Sequence, residues 1–395
     1  MILALLLAQL AASILLLVRL AAGRHRLPPV QPVPGGLTHT SVSVLVATLN
    51  EAQRLGPCLE GLRAQGAPLR EVIVVDSRSP DGTADLVHAM AARDPRFSVV
   101  NDTPVPDDWI GKVWALQHGL GLATGEWVLG LDADIDPQPG MVAGVVAAAD
   151  ALGLDVASFS PRFAGMTRAE QWVQPSMLVT LVYRLGAAGA VSPPPDRMMA
   201  NGQCFLARRS TLLAHGGYEI ARASWADDVT LARELARRGV RVGFLDGSRL
   251  YEVRSYSGLA DMWREWGRSF DLSDATSRVR QWWDVVFIWL VQGTPILVLL
   301  AFALDAVDGT TPIARAWMAL NGGLVFVRAL LLLALRGSYR RRTLGFWLSP
   351  LTDPAAAWRL MLSSARRPRG WRGRAYALGG DDVRRAGARP GEEHA

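Results

Sequence analysis

Two carboxylates separated by one residue close an apolar run: Gly125-Glu126-Trp127-Val128-Leu129-Gly130-Leu131 leads into Asp132-Ala133-Asp134. Alternate residues of an extended chain point to one side, so Asp132 and Asp134 can share a divalent ion through hard oxygen donors. Such an ion would bridge the diphosphate of a nucleotide and neutralise its charge as it departs. Asp136, ahead of Pro137, reads as a turn residue. A second acidic pair, in Trp225-Ala226-Asp227-Asp228-Val229-Thr230-Leu231, falls at an expected helix N-terminus. There the helix dipole favours either carboxylate as a cap. Alternatively, adjacent like charges and partial burial raise a carboxylate pKa toward the range of a general base. Asp76 closes Val74-Val75-Asp76, and Asn50 and Glu51 follow an earlier run on the same expected rim, where Asp76 could accept hydrogen bonds from a base edge or ribose. Asp81 and Thr83 read as turn and helix-cap residues. Of 42 lysines plus arginines, only Lys112 is a lysine. That bias marks a position wanting a compact ammonium on a flexible stem, or a chance survivor on the surface.

These groups need a scaffold that gathers strand ends. Residues 43–48, 71–76, 97–101 and 127–132 read as buried strands, with helical stretches at 56–65 and 83–93 between them. That alternation implies an α/β fold with a mostly parallel sheet, whose ligand sits at the carboxyl ends of the strands. The acidic motifs fall there. The 395 residues are half hydrophobic and one fifth charged, which excludes a disordered or collagenous chain. Mean hydropathy is positive, at +0.16. Cys58 and Cys204 lack the spacing of a zinc or redox pair and read as packing residues.

Outside the sheet region the pattern belongs to a membrane. Residues 1–22 read as an N-terminal transmembrane anchor, 23–40 as a proline-rich linker, 41–270 as the α/β domain and 271–284 as an interfacial segment. Residues 285–304 and 316–335 read as two further membrane helices, 343–376 as interfacial or re-entrant, and 377–395 as a flexible tail. A cleavable leader is the rival for 1–22, but no basic segment precedes the apolar run. Arg328 at membrane depth must face a protein neighbour, snorkel or meet a lipid head group. Arg19, Arg24 and Arg26 follow the first apolar run and Arg336, Arg340, Arg341 and Arg342 follow the last, which puts the α/β domain on the cytoplasmic side of a bacterial inner membrane. With a net charge of +6 clustered at membrane junctions, the expected partner of the basic residues is the lipid bilayer and not nucleic acid.

Thr48-Leu49-Asn50-Glu51, Val75-Asp76, Lys112, Asp132-Ala133-Asp134 and Asp227-Asp228-Val229-Thr230-Leu231, in that order, resemble the lipid-directed family 2 glycosyltransferases of the GT-A fold. Trp109-Ile110-Gly111-Lys112-Val113-Trp114-Ala115, Asn201-Gly202-Gln203 and Trp371-Arg372-Gly373-Arg374-Ala375-Tyr376 are similar to the bacterial subgroup acting on carotenoids, with hopanoid-associated and ceramide glucosyltransferase-like enzymes as relatives. The resemblance implies a hexosyltransferase that inverts the anomeric carbon. Its donor would be a UDP-sugar, foremost UDP-glucose, its cofactor Mg2+ or Mn2+, and its acceptor a membrane lipid hydroxyl, foremost that of a carotenoid or other terpenoid. It further implies that Asp76 binds uracil or ribose, Lys112 neutralises phosphate, Asp132 and Asp134 hold donor and metal, Asp228 beside Asp227 is the base, and Asn201, Gly202 and Gln203 line the acceptor side. Two departures stand out. Ser77 follows Asp76 where the family often has a second Asp, and the family's Arg-Trp motif has only a loose counterpart in Arg264, Trp266 and Arg268, which contact diphosphate and acceptor or sit on an interfacial helix. The rivals are transfer to a polyprenyl phosphate or a sphingolipid-like acceptor, and a non-catalytic nucleotide-sugar sensor.

Overall fold

The computed structural model describes residues 2–191, 193–254, 256, 258–365, 370–371 and 374–375. The chain divides into two compact units, one from residues 27–162, 188–255 and 368–395, the other from 1–26, 163–187 and 256–367. The first is built on a sheet, the second on helices.

The sheet unit contains β1 Val42–Thr48, β2 Leu69–Asp76, β3 Phe97–Asn101, β4 Trp127–Leu131, β5 Val156–Ser160, β6 Ala190–Val191, β7 Cys204–Arg208 and β8 Val242–Asp246. Their order across the sheet is β3-β2-β1-β4-β7-β5-β8-β6. β1 runs parallel to β2 and β4, β2 parallel to β3, and β5 parallel to β8. β7 runs against both β4 and β5. Val42, Ser43, Val44, Leu45 and Val46, successive residues of β1, are all buried, as a parallel strand covered on both faces requires. Because β1, β2, β3 and β4 point one way, Thr48, Asp76, Asn101 and Leu131 end on one rim. The reversal at β7 brings the start of that strand, Cys204, opposite Leu131 on the same rim.

Residues 27–37, within the expected proline-rich linker, lie along the sheet unit. The N–H groups of Leu27, Val30, Val33 and Leu37 donate to the carbonyls of Gly189, Asp246, Gly140 and Ala67 at 2.8–3.0 Å. The prolines between them remove donors that would otherwise need partners, so the segment is a docked strap.

Among the described residues, the helical unit has three helices long and apolar enough to cross a membrane: residues 2–25, 278–303 and 312–338. The middle one starts at Arg278, seven residues before the expected 285, because its polar residues have partners: Asp284 pairs with buried Arg184 at 3.2 Å and Gln281 donates to Asp271 at 3.4 Å. It passes through a π-turn, Trp289–Gly293. Leu290 O accepts there from Gln9 of the first helix at 2.9 Å, and Gln9 also meets Asn321 and Trp317. Arg328 lies 2.9 Å from Asp353 and donates to Ser176 and Ser349, which resolves it as a residue facing protein neighbours. The helix Asp353–Ala365 has 13 residues, too short to cross the hydrocarbon core. The expected α/β domain at 41–270 is interrupted: the helix Arg168–Leu185 and the helix Leu259–Phe270 belong to the helical unit, where Val173, Met177, Val182, Met262 and Phe270 join its core. Residues 377–395 lie outside the described residues.

Candidate functional site

Two loops leave the rim beside β1 and β2 and are wired to each other. Asp76 is 1% exposed, and its carboxylate accepts from Thr48 Oγ1 at 3.0 Å, Ser79 N at 2.8 Å and Ser79 Oγ at 2.6 Å. The N–H groups of Asn50, Glu51 and Ala52 donate to Ser79 Oγ, Thr83 Oγ1 and Asp81 Oδ2. Asn50 takes φ +57°, a left-handed conformation Asn tolerates better than most residues, and leaves its side chain exposed. Glu51 is buried. Asp76 therefore holds the loop in place. Asp102, which sequence reasoning missed, extends this rim after β3: it is buried, accepts from Ser77 Oγ at 2.8 Å and lies 3.8 Å from Arg78. Its signal was available, since it follows a β-branched run as Asp76 does.

The chemistry-bearing groups converge at the next strand ends. Lys112, in the first turn of the helix Gly111–Leu122, sends Nζ to within 2.9 Å of Asp132 Oδ1. Asp132 leaves β4, and its N–H donates to Gln203 O at 3.3 Å. Asn201, Gly202 and Gln203 form the turn into β7: Asn201 N donates to Ser158 Oγ at 2.6 Å, Gln203 N to Asn201 Oδ1 at 3.0 Å, and Gly202 N to Asp228 Oδ2 at 2.6 Å. A side chain at Gly202 would put its Cβ 3.0 Å from Lys112 Nζ and 3.5 Å from Asp228 Oδ2. Glycine leaves that space to the lysine and the aspartate. Asp227 and Asp228 open the helix Asp227–Arg237, whose N-cap residue, Ala226, makes no side-chain cap hydrogen bond. Asp228 Oδ1 takes Val229 N at 2.8 Å, and both its oxygens are thus held by backbone donors.

Charge follows from this crowding. Burial pushes the Asp228 carboxyl up and Asp227 adds to it, against Lys112 and the two backbone donors, to about 7. Asp227 is raised by burial and by Asp132, with Lys112 opposing. For Lys112 burial acts downward, but Asp132, Asp227 and Asp228 outweigh it and hold the amine above its ordinary range, firmly protonated. Tyr218, also missed by sequence, lies beneath the site: its buried hydroxyl would sit 3.5 Å from a Cβ on Gly130 and is raised by burial and by Asp227. No spacing in the chain announces it.

Among the described residues no three His, Cys, Asp or Glu side chains group to hold a metal. The donor set at Asp132 and Asp134 is two carboxylates, and it fits a hard, oxygen-ligated ion that completes its shell with phosphate and water. The field is acidic: burial foremost, then Asp134, Asp132 and Asp136, push the buried Cys58 thiol up. Asp136 itself pairs with Arg254 at 2.8 Å.

The remaining expected residues lie in the helical unit. Arg264 is exposed and 3.6 Å from Asp261, Arg268 pairs with Glu265, and Trp266 is 4% exposed with its ring 5.5 Å from that of Phe270. Trp266 is a core residue rather than an open contact. Of the Trp371-to-Tyr376 stretch, Arg372, Gly373 and Tyr376 lie outside the described residues.

Residues 43–215 match the family model described as Glycosyl transferase family 2. The chain is 32% identical over 130 residues to the succinoglycan biosynthesis protein ExoO of Rhizobium meliloti, which covers 33% of this chain and 34% of that one. It is 33% identical over 101 residues to the 4,4'-diaponeurosporenoate glycosyltransferase of Staphylococcus haemolyticus, covering 26% of each. The matches thus span about a third and a quarter of these two relatives' lengths. Among solved structures, the mannosyltransferase PcManGT from Pyrobaculum calidifontis, in complex with GDP-Man and Mn2+, superposes with a TM-score of 0.52 at 22% identity over 92% of this chain and 98% of that one. The sheet order and the superposed structure agree on a GT-A fold, and within it residues 43–215 form a domain that matches glycosyltransferase family 2.

Proposed function

We propose that the protein is a membrane-bound inverting hexosyltransferase that moves a sugar from a UDP-sugar, foremost UDP-glucose, to a hydroxyl of a membrane lipid, foremost a carotenoid or other terpenoid. The observation that carries it is Asp228: a carboxylate fixed through both oxygens by backbone N–H groups, raised to about 7, beside a protonated lysine that reaches the Asp-x-Asp motif. A base tuned near the working pH is what removal of a hydroxyl proton needs.

In this reading Asp228 takes the acceptor's proton as its oxygen bonds to the anomeric carbon, and the bond from that carbon to the diphosphate breaks with its electrons leaving on UDP. Lys112 stabilises the charge appearing on the departing phosphate. Asp132 and Asp134 would hold Mg2+ or Mn2+, which supplies Lewis-acid neutralisation of the diphosphate when bound. Asn50 and the loop pinned by Asp76 form the rim for the nucleoside, and Asn201 to Gln203 the acceptor side. The named activity of the S. haemolyticus relative, on diaponeurosporenoate, and the three apolar helices support a lipid acceptor, and the arginine distribution supports a bacterial inner membrane with the sheet unit cytoplasmic.

The test is to incubate membranes containing the protein with labelled UDP-glucose, Mg2+ or Mn2+ and total host lipid, and to follow label into the organic phase with Asp228→Asn as the control. Metal-dependent label that needs Asp228 establishes the reading. Label that survives Asp228→Asn but not Asp134→Ala points to an already anionic polyprenyl phosphate acceptor. Bound UDP with no transfer from any nucleotide sugar favours a sensor.

A further inference from the structure

We infer that Lys112 is a place-holding cation: its ammonium and the divalent ion compete for Asp132, and a nucleoside diphosphate, by drawing the ammonium onto its phosphates, makes its own binding and that of the metal cooperative. The inference rests on the metal role given above to Asp132 and Asp134. Lys112 Nζ sits 2.9 Å from Asp132 Oδ1, with only 20% of its side chain exposed. A divalent ion bound to the same carboxylate oxygens at about 2.0–2.2 Å would stand within contact range of that ammonium, and two cations so placed repel strongly in a partly desolvated site. The lysine is not displaced by residue 202, a glycine whose missing Cβ would stand 3.0 Å from Nζ. What can move it is a stronger anion. A diphosphate offers one, and the flexible stem of lysine permits the shift where a planar guanidinium would not. This gives a physical reason for lysine at the one position where a chain of 42 basic residues does not use arginine.

Competition for one ligand has a thermodynamic signature. The metal should bind weakly alone and tightly with the nucleotide, and removing the ammonium should erase much of that difference by improving the weak case. The measurement is Mn2+ binding to the full chain in detergent, from loss of the free-ion EPR signal, with and without UDP. Lys112→Met should bind Mn2+ alone more tightly by roughly fivefold or more, with a smaller gain on adding UDP. Asp134→Ala should lose Mn2+ in both conditions. If Lys112→Met binds Mn2+ alone no better than the parent while Asp134→Ala fails to bind, the place-holder inference is overturned and the metal site stands. If the parent binds no Mn2+ even with UDP, the metal reading falls and takes the inference with it.

Discussion

Asp228 concentrates the chemistry of this chain in one side chain. A carboxylate in water would be ionised far below neutrality and would be a feeble base; here burial first, and the neighbouring charge of Asp227 second, disfavour the charged form and move its titration to about 7. In the proposed base role the working form is the deprotonated one, so activity is lost as pH falls through that value and is retained above it. Accordingly kcat/KM measured on membranes should drop by about tenfold per pH unit below about 7 and level off above it, with the acid limb absent from the residual activity of Asp228→Asn. A rate independent of pH between 5 and 8 (about one unit or more either side of that midpoint) would remove Asp228 from the base role. The variant itself should lose about 10²–10⁴-fold in kcat, with the nucleotide still bound. Asp76 behaves differently, since its carboxylate is occupied by Thr48 and Ser79. Its type was legible from the strand end, but its job was not, because the donors that fill it come from loop conformation and not from spacing.

At the scale of elements, what was legible depended on whether a segment's partners are near in sequence. β1, β2 and β4 stood out because Val42–Val46, Val72–Val75 and Trp127–Leu131 are covered on both faces, whereas the edge strand β3 leaves Ser98 exposed and was legible from its β-branched Val99-Val100. The strap at 27–37 did not, since its carbonyl partners are on Gly189, Asp246, Gly140 and Ala67, far along the chain. The helix Arg168–Leu185 was equally hidden: it buries Glu170, Gln171, Gln174, Ser176, Thr180 and Arg184 along with its apolar residues, which erases the amphipathic stripe. The strap makes a prediction through Gly140, which has φ +79° and whose added Cβ would lie 2.7 Å from the backbone of Val33. Gly140→Ala should lower stability by about 1–3 kcal/mol, read as a fall in Tm together with faster proteolysis at residues 27–37. An unchanged Tm would mean the strap is not seated. In the helical unit Arg328 and Asp353 are 3% and 5% exposed by side chain. Asp353→Ala leaves a buried guanidinium uncompensated and should cost about 3–5 kcal/mol in detergent melts, whereas Arg328→Met with Asp353→Leu should recover most of it. Failure of the pair to recover would mean that Ser176, Ser349 and Gln292, not the ion pair, carry the fixation.

For the whole molecule, three candidate crossings and the placement of charge fix one another. The stretch between the first and second spans, 26–277, holds the sheet unit; the loop between the second and third, 304–311, is eight residues long and carries Asp305 and Asp308; the stretch after the third opens with Arg336, Arg340, Arg341 and Arg342. In the proposed arrangement, three crossings put the first and last of these stretches on one side and the short loop on the other, and the arginines following the first and third candidate spans both favour the cytoplasm for that side. The two native cysteines are fully buried, so a single introduced thiol can report on each side. Exposed Ala306 lies in the short loop and exposed His39 in the segment leading to β1. In intact cells a membrane-impermeant maleimide should label Ala306→Cys and spare His39→Cys, and after lysis it should label both. Labelling of His39→Cys in intact cells would invert the molecule and move the site to the outer face, where the arginine clusters would have to be explained by something other than membrane orientation.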